Sequence, residues 1–125
     1  MDGLTGKKIL WLEDDKFLSN LIAQKLSKGG GQLIYCKNGD EAIKAASEQK
    51  PDVILLDILL PGMDGIEVLS KLKENPETKN IPVIMFSNVD DKSKVDQSIN
   101  LGAKGFFVKA TMDLDQIIQE ILKVL

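Results

Sequence analysis

Residues 52–65 read DVILLDILLPGMDG. From Val53 to Leu60 the run is apolar except for one carboxylate, Asp57, which stands shortly before Pro61 and Gly62. A segment apolar on both sides of its alternation is what a buried central strand of a parallel sheet requires. A carboxylate inside it costs several kcal/mol unless it is paired or coordinated. Asp57 alone could simply end a strand at a turn, but that cost favours a site where the strand opens.

On either side of this stretch β-rich runs alternate with helical periodicity along the whole chain. The runs are Lys7 to Glu13, Gln32 to Cys36, Asp52 to Asp57, Pro82 to Ser87 and Gly105 to Lys109, each bounded by turn residues. Between them the apolar spacing becomes that of helices, as at Leu18, Leu21, Ile22 and Leu26, or Ile66, Leu69 and Leu72. The last segment carries a stripe from Leu114 through Ile117, Ile118, Ile121 and Leu122 to Leu125, opened by Asp113 as N-cap with Gln116 three residues on. Strict alternation predicts an α/β fold: a doubly wound, five-stranded parallel sheet with right-handed crossovers and five helices on its two faces. The short Gly-, Asn- and Pro-rich connections leave no linker, so residues 1–125 are expected to form one domain.

Composition narrows the function. The 125 residues include 43% apolar and 28% charged residues, an ordinary globular balance. No apolar run is long enough to cross a bilayer and the N-terminus has no signal-peptide core, so a cytoplasmic protein without membrane contact is expected. A net charge of −3 argues against nucleic-acid binding by this chain. The absence of histidine removes His-based acid–base catalysis and His metal ligation. Cys36 is the single cysteine; its apolar neighbours suggest a core thiol. Trp11, also single, should be core and could report metal binding.

In an open parallel sheet the ligand site lies beyond the carboxyl ends of the strands. Here the first strand ends in Glu13-Asp14-Asp15, the third in Asp57, the fourth in Ser87-Asn88 and the fifth in Lys109. The acidic run could by itself be a helix cap, and a lone Lys109 could be a solvated lysine. If the first and third strands are neighbours, however, several carboxylates converge and their repulsion calls for protonation or a cation. Mg2+ suits oxygen ligands and an open, partly hydrated site. A carboxylate facing a metal, a lysine and a hydroxyl has the parts for phosphoryl transfer to aspartate, with Asp57 as nucleophile.

The stretches KILWLEDD, PDVILLDILLPGMDG, IPVIMFSN and GAKGFFVKA, in this order and spacing, resemble the receiver domains of two-component response regulators. That resemblance covers nearly the whole chain. It implies a strand order 2-1-3-4-5, Mg2+, and phosphorylation by a sensor histidine kinase or phosphotransfer protein, in a phosphoacceptor that assists its own phosphorylation and slow dephosphorylation rather than a conventional enzyme. By position, Asp57 matches the phosphoacceptor. Glu13 and Asp14 match the acidic metal-binding pair, and Leu59 the residue whose backbone carbonyl also ligates the metal. Ser87 matches the switch hydroxyl, Phe106 the aromatic switch residue and Lys109 the phosphate-binding lysine. Asp15, one place beyond the pair, should start the first helix. No output domain is expected within residues 1–125, so the signal would pass through the fourth helix, fifth strand and fifth helix to a separate output partner, a self-dimer or domains outside these residues.

Three departures from the family pattern stand out. Ala110 follows Lys109 where the family usually has a proline across a cis peptide, and a trans bond with a rearranged loop is expected over a strained cis one. Asn88 replaces a small residue beside the phosphoryl pocket, where it either hinders access or adds a hydrogen bond. Leu59 and Val89 are apolar at positions bordering the path of attacking water, which suggests slow loss of the phosphoryl group. The rival readings are a receiver-like interaction module without phosphoryl turnover, a flavodoxin-like electron carrier, which EDDK in place of a phosphate cradle disfavours, and an aspartate-dependent phosphatase, which would want an acid at Leu59.

Overall fold

The computed structural model describes residues 2–13, 15–60, 62–88 and 91–125. After a 3-10 turn at Asp2–Leu4 the elements run β1 (Lys8–Leu12), α1 (Lys16–Lys28), β2 (Gln32–Cys36), α2 (Gly39–Gln49), β3 (Val53–Asp57) and α3 (Gly65–Glu74). There follow β4 (Val83–Ser87), α4 (Lys92–Asn100), β5 (Gly105–Val108), a second 3-10 turn at Lys109–Thr111, and α5 (Leu114–Val124). The strands form one parallel sheet in the order β2-β1-β3-β4-β5. This is the doubly wound fold that the alternation predicted. The differences lie at the ends: Lys7 and Glu13 fall outside β1, Asp52 and Pro82 stand just before β3 and β4, and Lys109 opens a turn instead of closing β5.

Every residue of β3 and β4 is buried, because each strand has a neighbour on both edges and helices on both faces. The two-residue period of a strand sorts these residues into two cores. Ile9, Trp11, Leu55, Phe86 and Phe107 pack with Ile22 and Leu26 of α1 and Ile117 and Ile121 of α5. Leu10, Leu12, Ile54, Leu56 and Met85 pack with Ala42 and Ala46 of α2 and Val68, Leu69 and Leu72 of α3. Each fully buried Leu or Ile contributes roughly 1.5–3 kcal/mol. Leu125 lies past the end of α5 and is 38% exposed, so the stripe predicted for the last helix stops at Leu122.

Each of the five helices opens on an aspartate or asparagine whose side chain accepts from the first-turn amides: Asp15, Asn38, Asp64, Asp91 and Asp113. Asp113 and Gln116 complete the capping box foreseen for α5. Asp15, Asp64 and Asp91 set where the chain leaves β1, β3 and β4, and so shape the loops at the carboxyl edge of the sheet. Among the described residues no helix is long and apolar enough to cross a membrane.

Candidate functional site

At the carboxyl edge of the sheet the ends of β1, β3 and β5 bring three charges together. Lys109 Nζ donates to Glu13 Oε2 at 2.6 Å and to Asp57 Oδ2 at 3.0 Å. Glu13 is wholly buried and Asp57 is 3% exposed, while the Lys109 side chain is 12% exposed. The parity of the strands brings this about. Asp57 continues the Val53–Leu55 face, and Lys109 the Phe107 face, so both lie on the side of the sheet that carries Trp11 and Phe86.

Two carboxylates against one ammonium leave the cluster net negative. Burial raises the Glu13 pKa; the hydrogen bond from Lys109 opposes that rise, and the neighbouring Asp57 adds to it. For Lys109 burial is the largest single influence and pulls the pKa down, but the bonds and charges of Glu13 and Asp57 outweigh it, so the pKa is raised. Lys109 therefore remains a cation at neutral pH.

The backbone completes the setting of Asp57. Its Oδ1 accepts from the Leu59 amide at 3.1 Å, which turns the chain sharply after β3 and leaves the Leu59 side chain 58% exposed at the mouth of the site. The α3 N-terminus then returns close to the strand, with Gly65 N–H donating to Ile58 O at 2.9 Å. A Cβ at Gly65 would overlap the Asp57 carbonyl oxygen and stand 2.8 Å from Ile58 Cα, so only glycine fits there. The Glu13 carboxylate is also tied back, its Oε1 accepting from Asp15 N–H at 3.2 Å.

The other predicted residues are placed as follows. Ser87 is buried at the end of β4, one residue beyond the Asp57–Phe86 register pair. Asn88 is exposed. Phe106 is half-buried and packs on the α2–α3 core, whereas Phe107 is the one committed to the opposite interior. The Lys109–Ala110 peptide is trans, as expected, and enters the 3-10 turn. Asp14 and Val89 lie outside the described residues.

Sequence reasoning missed a column of aromatic rings behind the site. Trp11 stacks on Phe86 with centroids 4.9 Å apart, Phe86 stacks on Phe107 at 5.5 Å, and Lys109 Nζ lies 5.3 Å from the Phe86 centroid. Trp11 Nε1 donates to Ser19 Oγ at 2.9 Å, fastening the column to α1. Aromatics of matching parity in three strands were the available signal. Gly65 was also missed; a glycine directly after the Asp64 cap was its only trace.

The donors are hard oxygens, as a divalent cation of the magnesium class requires. Among the described residues Glu13 and Asp57 are the acids of the site, and no third acidic, histidine or cysteine side chain joins them. The convergence of two buried carboxylates on one cation fits such an ion, which would share them with the Lys109 ammonium.

Comparison with known proteins points the same way. Residues 9–122 match the response regulator receiver domain. Sporulation initiation phosphotransferase F of Bacillus subtilis is 34% identical over 122 residues, 98% of this chain and 96% of that protein. Other curated relatives, also 34% identical, are longer; the chain spans 42% of one and 24% of another. The chemotaxis response regulator CheY4 of Vibrio cholerae shares the fold with a TM-score of 0.88 at 24% identity, over 97% of this chain and 100% of that one. The Mn2+-bound form of response regulator Rcp1 superimposes with a TM-score of 0.77 at 30% identity, over 94% of this chain and 91% of that one.

Proposed function

The chain belongs to the receiver domains of response regulators, and from that premise we propose that it is a signalling switch in which Asp57 accepts a phosphoryl group. The observation that carries this reading is the buried Asp57 carboxylate at the mouth of the central strand, held by Lys109 and the Leu59 amide with Glu13 alongside.

A carboxylate oxygen of Asp57 attacks the phosphorus of a phosphohistidine on a sensor histidine kinase or phosphotransfer protein. The P–N bond breaks and the imidazole leaves with its electron pair, taking up a proton. Lys109, already pointed at Asp57 Oδ2, stays charged and meets the incoming phosphoryl oxygens. Glu13, Asp14, Asp57 and the Leu59 carbonyl would hold Mg2+, an assignment supported by the oxygen donors and by the Mn2+ bound in Rcp1. When bound, the ion offsets phosphoryl charge.

Ser87 then closes on a phosphoryl oxygen, and Phe106, half-buried against the α2–α3 core, turns inward to fill the space vacated. Phosphorylation thereby biases two packings of the α4–β5–α5 surface toward one, for a self-dimer or an output partner. The chain works in the cytoplasm and is no conventional enzyme; it assists its own phosphorylation and loses the group slowly. Leu59 and Val89 offer no polar atom to attacking water, which supports that slowness.

Incubation with acetyl phosphate and Mg2+ should add one phosphoryl mass to the intact chain, and Asp57→Asn should prevent it. Beryllofluoride with Mg2+ should change the fluorescence of Trp11, which reaches the site through Phe86. No adduct and no fluorescence response would leave an interaction module without phosphoryl turnover. Leu59→Asn combined with Val89→Glu should hasten dephosphorylation, and an unchanged lifetime would remove the water argument.

A further inference from the structure

The opposite, amino-terminal edge of the sheet holds a second concentration of charge, separate from the phosphoryl chemistry. A cavity of about 250 Å3 lies where α3 ends and β4 and β5 begin, lined by Lys73, Lys79, Asn80, Ile81, Gly102 and Lys104 among others. No acidic residue lines it. In a chain with a net charge of −3 that is unexpected.

The cavity is built. Lys73 Nζ donates to the carbonyls of Lys79 at 3.0 Å and Ile81 at 3.1 Å, which draws its half-buried stem across the floor and leaves one of its three protons for a ligand. Gly102 adopts a φ of 105°, closed to ordinary side chains, and a Cβ there would touch the Lys73 stem at 3.5 Å. Lys104 stands immediately before β5, its amide donating to Val83 O at 2.7 Å.

The electrostatics are unresolved within the protein. Glu77 pairs with Lys50 and accepts from Ser47, and Asp52 accepts from the Lys8 amide. Among the described residues no ion pair uses Lys73, Lys79 or Lys104. Burial, and after it the like charge of Lys104, holds the Lys73 pKa below its usual value. Three ammoniums around a concave, partly apolar floor form a potential well for an anion.

We propose that this cavity binds a compact, multiply charged phosphate anion of the size of inorganic diphosphate. The volume lies below the ~300–1,000 Å3 of pockets that enclose drug-sized ligands, which excludes a large organic molecule. Three lysine ammoniums, compact point charges without a directional fork, select by charge density, and a small polyanion such as diphosphate carries more of it than a carboxylate. Bound there, the anion ties the end of α3 to the starts of β4 and β5, and so stabilises the fold by mass action.

The test is a titration of the full chain with sodium pyrophosphate in Mg2+-free buffer at fixed ionic strength, followed by amide NMR and thermal unfolding. Saturating shifts are expected at Ile81, Gly102 and Lys104, with a rise in melting temperature. The exposed double variant Lys79→Gln, Lys104→Gln should keep the ligand-free melting temperature and bind at least about tenfold more weakly. Non-saturating shifts, equal shifts with sodium chloride or malonate, or undiminished binding by the double variant would overturn the assignment.

Discussion

Two ion-paired regions of this molecule have nearly the same contact geometry and opposite surroundings. Lys109 meets Glu13 and Asp57 at 2.6 and 3.0 Å with side chains 12%, 0% and 4% exposed. Lys92 meets Asp96 at 2.9 Å on the outer face of α4, with side chains 88% and 58% exposed. Distance does not separate them; water does. At the exposed pair solvent already satisfies both ions, so contact adds little. At the buried cluster the ions have left water, and each depends on the others for charge and hydrogen bonds. A charge cluster held in that condition has little reason to exist for stability alone, which is why its place at the ligand edge of the sheet weighs toward function.

The largest effect should come from removing the shared cation. Lys109→Met leaves Glu13 and Asp57 facing each other without compensation, and in EDTA it should lower the unfolding free energy by about 3 kcal/mol, read from urea titration. The same variant should take up no phosphoryl group from acetyl phosphate. Mg2+ should restore part of the lost stability, because the two carboxylates are then supplied with another cation. Unchanged stability in EDTA would mean that water reaches the carboxylates and that the two regions do not differ.

A second way to break the buried region leaves every charge in place. Gly65→Ala drives a Cβ into the Asp57 carbonyl, so either β3 or the start of α3 must shift. The expected cost is roughly 2 kcal/mol of stability, together with slowed phosphorylation because Asp57 moves relative to Glu13 and Lys109. Full activity in this variant would show that the cluster tolerates a displaced backbone.

The site was legible in the sequence to the extent that strand ends are. Glu13, Asp57, Ser87 and Lys109 each follow an apolar run, and alternation with helices placed those ends on one edge. What alternation could not supply was the pairing itself. Glu13 and Lys109 are 96 residues apart and meet only because the strand order puts β1, β3 and β5 in one neighbourhood. Nor could it say which of Phe106 and Phe107 faces which core, since that depends on the register of β5 against β4. The Trp11–Phe86–Phe107 column and the closeness of Gly65 to Asp57 are products of packing across elements, of which strand parity and a glycine after a helix cap are only faint local traces. No sequence pattern singles out the lysines at the opposite edge, and only the fold gathers Lys73 and Lys104.

Cys36 is buried without a counter-ion. Its thiol is 3% exposed, and burial, with the nearby charge of Glu41, pushes its pKa up to about 11 from 9.0. The folded pKa exceeds the unfolded one, so the unfolded chain gives up the proton first. The stabilising contribution is complete below pH 9.0 and is lost as the pH rises through 9 toward 11. Between pH 8 and pH 10 the stability advantage of the wild-type chain over Cys36→Ala should shrink by about 1.4 kcal/mol. A constant difference would show that the thiolate finds solvation in place, as the Glu13 carboxylate finds Lys109.

The smallest effect belongs to the exposed pair, for a reason beyond its exposure. Lys92 is the first residue of α4, where the positive end of the helix dipole opposes a cation, and Asp96 follows it at i+4, the less favourable order for such a pair. The hydrogen bond and charge of Asp96 do raise the Lys92 pKa, so the contact is felt by the proton. What the contact contributes is nonetheless offset by the dipole and by the ordering of the long Lys92 side chain. Lys92→Ala should therefore leave the urea midpoint unchanged at both low and high salt, and phosphorylation by acetyl phosphate unaffected. A loss approaching that of Lys109→Met would mean that short contacts carry stability here regardless of water, and the functional weight placed on the buried cluster would have to be withdrawn.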